Sequence, residues 1–202
     1  MINPISKKKN NMDPIIKPAL KFLLVMTLLT GIIYPLFITG VAQLVFRAKA
    51  NGSLVTKDSK IVGSGLVGQK FDSTIYFWTR PSAINYNPVP SAASNLGPTS
   101  SILKDQVTQR RAFFAAKNSV SGSTAIPSEM IFASGSGLDP HISPESAILQ
   151  MDRIVTARSF NGVQKGEIIN LIDSLTESPQ FHLFGERRIN VFLLNLNLDR
   201  IK

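Results

Sequence analysis

The densest collection of reactive residue types is the stretch Ser134-Gly135-Ser136-Gly137-Leu138-Asp139-Pro140-His141-Ile142-Ser143, which places three serines, an aspartate and a histidine within ten residues. A Ser-His-Asp hydrolase draws on those types, but a triad is assembled in space and local clustering says little for it. No G-x-S-x-G elbow accompanies it. The other expectation is structural: glycines permit positive φ, while Asp139 and Ser143 suit backbone amides at the entry to a helix. This second reading is the stronger, and no catalytic residue is assigned.

Gly63-Ser64-Gly65-Leu66-Val67-Gly68 fits G-x-G-x-x-G and, with Gln69-Lys70, comes close to a P-loop. Both motifs need a helix beginning at the glycines, so that free amides and the helix dipole meet phosphate. Here Phe71-Asp72-Ser73 and a β-prone aromatic run follow, the lysine comes one place late, and the magnesium-binding hydroxyl is missing. A glycine-rich turn between strands is expected instead. The absence of cysteine excludes disulfides, a thiol nucleophile, a thiolate zinc site and haem attachment. His141 and His182 have no supporting ligand spacing, so no metal site is assigned. Arg110-Arg111 and Arg187-Arg188 read as solvated basic surface, and no nucleic-acid motif accompanies them.

The formal charge of +9 is unevenly distributed: residues 1–21 carry +4, and residues 47–202 carry +5 over 156 residues. Between them, residues 22–46 form a run of 25 without an ionisable acid or base. At about 1.5 Å per residue that exceeds the ~30 Å hydrocarbon core of a bilayer. A retained transmembrane helix is expected. Ala48-Lys49-Ala50 has the look of a signal cleavage site, but a signal's apolar region is usually about 7 to 15 residues long. Pro35, between Gly31 and Gly40, predicts a kink and close packing against neighbouring helices. Five lysines precede the span, and Arg47, Lys49, Lys57 and Lys60 follow it, which favours a cytoplasmic N-terminus by a narrow margin.

The division expected is therefore a basic cytoplasmic N-terminus (1–21), a transmembrane helix (22–46) and one soluble domain (47–202). Residues 51–98 are rich in Gly, Ser, Pro and Asn, with β-prone pieces at Lys60-Ile61-Val62 and Thr74-Ile75-Tyr76-Phe77-Trp78. Helical spacing follows Pro98: Thr99 or Ser100 as cap, Leu103, Val107 and Phe114 on one stripe, Asn118 at the end. A second helix is expected from Ser143-Pro144-Glu145, with Ile148, Met151 and Val155 inward. A third is expected after Gly166, with Ile168, Leu171, Ile172 and Leu175 on its stripe, ending near Pro179. From Arg188 to Asp199 the alternation Ile189, Val191, Leu193 changes phase to Leu194, Leu196, Leu198, which predicts a strand with a bulge. The fold class expected is α+β: one N-terminal transmembrane helix followed by a single extracytoplasmic α+β domain.

Several strings then act together: Tyr34-Pro35-Leu36 with Thr39-Gly40-Val41-Ala42-Gln43, Ala50-Asn51-Gly52-Ser53-Leu54-Val55, Gly63-Ser64 with Gly68-Gln69, Tyr76-Phe77 before Arg80-Pro81-Ser82-Ala83, Tyr86-Asn87-Pro88, Ser94-Asn95-Leu96-Gly97-Pro98-Thr99, and the stretch from Ser134 to Pro144. With Thr176-Glu177-Ser178-Pro179 and the pattern from Asn190 to Asp199, they resemble the KdpC family, the C subunit of Kdp-type potassium-transporting ATPases. The resemblance runs from about residue 15 almost to the end. Ala92-Ala93 stand where the family commonly has glycines, and Arg187 where it commonly has proline.

The resemblance implies a single-pass subunit of a bacterial inner-membrane complex, surrounded by membrane lipid, with its soluble domain extracytoplasmic. It implies three partners: a channel-like potassium-selecting subunit, a P-type ATPase subunit and a small one-helix subunit. It implies an accessory role in high-affinity ATP-driven potassium uptake, assisting assembly and nucleotide affinity as a catalytic chaperone. The chain has no D-K-T-G phosphorylation motif and no cofactor of its own is expected, ATP being used by the complex. Were the chain to contact ATP directly, Gln150, taken as a surface amide, would be the candidate nucleotide-binding residue. The alternative function is an independent membrane-anchored binding module or hydrolase using the loop between Gly135 and Ser143.

Overall fold

The computed structural model describes residues 13–201, and the lysine cluster Lys7 to Lys9 lies outside them. The described residues form two compact units, one ending at Ser53 and the other beginning at Leu54. In the first, α1 (Asp13–Leu28), a π-helical turn (Leu29–Ile33) and α2 (Tyr34–Val45) run on as one helix. The apolar span Pro14–Val45 is 32 residues long, about 48 Å at 1.5 Å per residue, and none of it is buried. It meets the length expected of a membrane helix, and such a surface is stable only in lipid or against other helices.

Just upstream of Pro35, where a kink is expected, the helix carries that π-helical turn. Proline has no N–H and its ring crowds the preceding turn. The helix widens just upstream, where the Tyr34 N–H reaches the Leu29 carbonyl five residues back. The hydroxyl of Thr30 donates to the Met26 carbonyl at 2.7 Å, occupying a backbone acceptor one turn earlier. Helix α3 (Arg47–Ala50) follows after a break at Phe46.

The second unit opens with the antiparallel hairpin β1 (Leu54–Lys57) and β2 (Lys60–Ser64). Its helices are α4 (Ser101–Asn118), α5 (Pro144–Arg158), α6 (Gly162–Leu175) and α7 (Val191–Leu198). A small antiparallel sheet, ordered β3-β5-β4, joins them, with β3 at His141–Ile142, β4 at Thr176–Glu177 and β5 at Arg188–Asn190. The core collects Phe77, Trp78, Phe114, Ile142, Ala147, Met151, Ile154, Ile168, Ile172, Ile189, Val191, Leu194 and Leu198. An apolar N-terminal helix followed by a mixed domain of helices and a small sheet is the fold class expected.

Local chemistry accounts for the helix ends. Ser100 caps α4 by accepting from Leu103 N–H, and Ser143 caps α5 with Pro144 at the first helical position, both as expected. Helix α6 starts earlier than expected, because Asn161 accepts from the amides of Val163 and Gln164 while the Gln164 side chain accepts from Asn161 N–H. That reciprocal box outweighs the glycine at Gly166, which lies inside the helix.

Three expectations are corrected. Ile148 is exposed, and α5 instead turns Ala147, Gln150, Met151 and Ile154 inward, so its buried face includes a polar residue. The C-terminal strand ends after Asn190, where the Asn190 side chain accepts from Leu193 N–H and starts α7. Val191, Leu194, Asn195 and Leu198 then share the buried face at helical spacing, which explains the change of phase that a strand bulge was invoked for. The aromatic run at residues 74–78 is not a strand.

Candidate functional site

From an exposed turn at residues 73–76 the chain enters the core at Phe77 and Trp78 without a strand partner, so the buried backbone groups there must be met by side chains. Gln150 on α5 takes the Trp78 N–H on Oε1 at 2.7 Å and gives Nε2 to the Trp78 carbonyl at 3.3 Å. Asn195 on α7 does the same for Phe77, at 2.8 Å and 2.9 Å. Arg153, three residues after Gln150, donates to the Thr74 carbonyl, to Asn118 Oδ1 at 2.9 Å and to Gln150 Oε1 at 3.0 Å. Its guanidinium lies 3.9 Å from the centroid of Trp78, whose other neighbour is the stacked Phe113 ring. One turn on, Arg158 donates to the Ile75 carbonyl at 2.8 Å and pairs with Asp199 at 2.8 Å. Burial pulls the Arg153 pKa down to about 10, which leaves it cationic at neutral pH.

Gln150 was taken above as a surface amide, and the structure corrects this. Its side chain is completely buried, with both amide atoms committed to Trp78 and Arg153. Arg153 has no signal in the sequence reading, and Asn195 enters it only within the pattern from Asn190 to Asp199, with no role assigned. A polar residue amid the apolar run from Val191 to Leu198 was the available signal, since a buried amide must find partners.

The loop between Gly135 and Ser143 borders an open cleft of about 450 Å³, whose walls include Arg80, Glu129, Asp139, His141 and Arg188. Asp139 accepts from the His141 backbone N–H at 3.0 Å and from Arg80 Nη1 at 2.8 Å, with His141 Nδ1 at 3.4 Å. Burial raises the pKa of Asp139, but the hydrogen bonds from His141 and the bond and charge of Arg80 outweigh it and bring the value down to about 2. The serines serve backbone too: Ser136 Oγ accepts from Leu138 N–H, and Ser143 Oγ from Ser146 N–H. Glu129 Oε1 accepts both the Ser143 N–H, at 2.7 Å, and the Ser146 hydroxyl. This arrangement orders a helix entry.

The other singled-out residues lie apart. No helix begins at the 63–68 glycines; Gly68 instead donates its N–H to Leu138 O at 2.7 Å. A Cβ on Gly68 would stand 2.7 Å from the Asp139 carbonyl oxygen, so glycine there lets the two glycine loops meet. Asn190 ties in the same turn, donating to Gly65 O at 2.6 Å. Arg110 reaches the Ile131 carbonyl at 3.2 Å, and Arg188 pairs with Glu177 at 2.9 Å across β4 and β5. His182 sits in the turn between those two strands, away from His141 in the chain. Among the described residues, no group of three or more His, Asp or Glu side chains is disposed to hold a metal ion.

A family model described as KdpC, the c chain of the K+-transporting ATPase, matches residues 16–200. The chain is 45% identical over 185 residues to the potassium-transporting ATPase KdpC subunit of Leptospira interrogans, covering 92% of this chain and 93% of that one. It is 44% identical to the protein of the same description in Cereibacter sphaeroides, with coverages of 91% and 96%. For Geobacter metallireducens the identity is again 44%, over 92% and 97% of the two chains. With a match of that length and an apolar membrane-length helix ahead of a mixed domain, the chain belongs to the KdpC family, the c subunits of the potassium-transporting Kdp ATPase.

Proposed function

We propose that this chain is a non-catalytic accessory subunit of an ATP-driven potassium uptake complex in the bacterial inner membrane. The family match over residues 16–200 carries the reading. The N-terminus lies in the cytoplasm, the helix crosses once among lipid and partner helices, and the soluble domain is extracytoplasmic. Its partners are a channel-like potassium-selecting subunit, the P-type ATPase subunit that uses ATP, and a small one-helix subunit. The chain needs no cofactor of its own. The unburied surface of Pro14–Val45 supports a role for the helix in packing as well as anchoring.

Its contribution is assembly, together with a rise in the nucleotide affinity of the ATPase subunit, the action of a catalytic chaperone. An extracytoplasmic domain does not meet cytoplasmic ATP, so that rise is a coupling free energy carried through the membrane helices. Nucleotide contact at Gln150 would first require its bonds to Trp78 and Arg153 to break, leaving buried polar groups unpaired. Coupling through the helix avoids that cost.

Deletion of the chain should abolish growth at micromolar potassium in a strain without other uptake routes, and the purified chain should hydrolyse no ATP above background. A cysteine replacing Ser121 should react with a membrane-impermeant maleimide in intact cells whose outer membrane, where present, has been permeabilised. Normal growth of the deletion strain would end the transport assignment. Labelling only after lysis would reverse the topology.

A further inference from the structure

A recess of about 240 Å³ lies beside the clamp, between residues 70–86 and helix α4. Its walls are aromatic: Phe71, Trp78, Phe113 and Phe114, joined by Met130. Phe113 is 56% exposed yet stacks on the buried Trp78, with ring centroids 5.5 Å apart, so an aromatic surface runs from the core out to solvent. A cavity of about 150 Å³ is enough to hold benzene. The recess therefore has room for one ring with a short arm, and it is far too small for a helix, about 10 Å across with its side chains.

Most polar groups of the recess already have partners. The Tyr86 hydroxyl donates to the Arg80 carbonyl at 2.7 Å and accepts from the Thr79 hydroxyl at 2.8 Å. Trp78 Nε1 donates to the Ser73 carbonyl at 2.9 Å, and Lys70 pairs with Asp72 at 3.0 Å. Arg110 differs. It is half-buried on α4, and its protein partners are neutral: the Ile131 carbonyl at 3.2 Å and the Gln106 side-chain oxygen at 3.5 Å. Among the described residues no carboxylate pairs with it. Burial lowers its pKa, as befits a cation short of both water and an acid, but a guanidinium stays charged at neutral pH. Lys70 and Asp72 cancel each other, which leaves the recess with the uncompensated charge of Arg110 among aromatic walls.

The geometry points to a binding site for a small carboxylate that bears an aromatic ring, with the ring against Trp78 and Phe113 and the carboxylate accepting from Arg110. A neutral ring would leave the guanidinium without an anion, and a bare inorganic anion would leave the aromatic walls wet. A ring-bearing acid meets both needs, since apolar walls with one fixed charge set the orientation of a small ligand. The site is independent of the accessory role, and its test needs no other subunit.

The full chain is placed in nanodiscs of zwitterionic lipid, so that neither detergent nor anionic headgroups compete, and titrated with 3-phenylpropionate. Trp78, the one tryptophan of the chain, lines the recess and reports occupancy by its fluorescence. A saturable change with a Kd on the order of 1 mM or tighter is expected for a ligand of this size. The amide of the same acid, equal in size but uncharged, should bind at least about tenfold more weakly, and propionate, which lacks the ring, should give no saturable change. Arg110→Gln should bring acid and amide to equal affinity, while Phe113→Ala should weaken both together. The absence of a saturable response, equal affinities of acid and amide for the unaltered chain, or a propionate response as strong as that of the ring acid each overturns the site. A preference for the acid that survives Arg110→Gln overturns the assignment to Arg110. Should that variant fail to fold, the comparison of acid, amide and propionate on the unaltered chain still decides.

Discussion

At residues 73–78, Gln150, Arg153, Arg158 and Asn195 turn inward and replace a missing strand partner, whereas around the loop 135–143 Asp139, His141 and Glu129 border an open cleft. Both regions are polar and both serve backbone amides or carbonyls. They differ in exposure: Gln150 is completely buried, while the Asp139 side chain is 28% exposed. Water can replace a lost partner in the cleft but not at the clamp, so equivalent truncations should have unequal effects. A functional amide cannot be told from a structural one by residue type alone, and burial separates them.

The sharpest way to break this contrast is Arg153→Met, which keeps the bulk of the side chain and removes every donor. The Thr74 carbonyl, Asn118 Oδ1 and Gln150 Oε1 would lose a charged partner together, and Trp78 its cation. A loss of about 3–4 kcal/mol is expected, because several neutral acceptors lose a charged donor at once and each buried acceptor left unpaired costs about 1–3 kcal/mol, part of which is offset by the desolvation that the removed charge no longer requires. Denaturant unfolding followed by fluorescence measures it, Trp78 being the one tryptophan in the chain. A loss below about 1 kcal/mol would mean that water enters the clamp and that the contrast with the cleft is false.

Next in size are Gln150→Leu and Asn195→Leu, each of which strands one N–H and one carbonyl of the crossing segment. About 2–3 kcal/mol is expected for each. The two amides clamp adjacent residues, so the double variant should lose less than the sum by at least about 0.5 kcal/mol. Strict additivity would show that the two amides act as separate supports. Gln150→Leu also bears on nucleotide recognition: if it lowered nucleotide affinity in a complex of unchanged stability, the structural role assigned to Gln150 would be wrong.

The contrast also explains which features were legible in the sequence. Helix entries at Ser100 and Ser143 could be read because a cap depends on residues three apart. The membrane-length helix could be read because it depends on composition alone. The aromatic run at 74–78 looked like a strand because its residue types suit one, and only tertiary partners 72 and 118 positions away make it a clamped crossing segment. The inward turn of Gln150 was hidden for the same reason, since its partner Trp78 belongs to another part of the chain. At the C-terminus, Asn190 was legible in principle as a helix cap, but the alternation of Ile189, Val191 and Leu193 favoured a strand.

At the cleft the effect is smaller and depends on pH. Asp139 has its pKa lowered from 3.8 to about 2 in the folded chain. Above about pH 4 it is ionised in both states and its stabilisation is fully present. As pH falls from about 4 to about 2, the unfolded chain takes up the proton first, so that stabilisation declines and is gone once the folded carboxyl is also protonated. With the screening that solvent exerts in the open cleft, the contribution is on the order of 1–2 kcal/mol. Asp139→Asn should therefore flatten the acid limb of unfolding free energy between about pH 4 and about pH 2. An unchanged limb would place the acid sensitivity on other carboxylates and detach Arg80 and His141 from the stability of the loop.

The smallest expected effect belongs to Ser143, where loop and helix meet. Its hydroxyl accepts from Ser146 N–H at 3.2 Å and donates to Ser146 Oγ at 3.1 Å, while its own N–H goes to Glu129. Ser143→Ala removes the first two bonds and keeps the third, since that donor is backbone. The freed Ser146 N–H lies at a helix start, and Pro144 already sets the entry geometry. About 1 kcal/mol is therefore expected, near the middle of the range for a lost cap. Glu129→Gln should behave differently, because it weakens the acceptor of two donors, Ser143 N–H and the Ser146 hydroxyl, without removing the cap. If Ser143→Ala cost as much as Gln150→Leu, the helix entry would be as poorly hydrated as the clamp, and the distinction between the two polar regions would shrink to one of position.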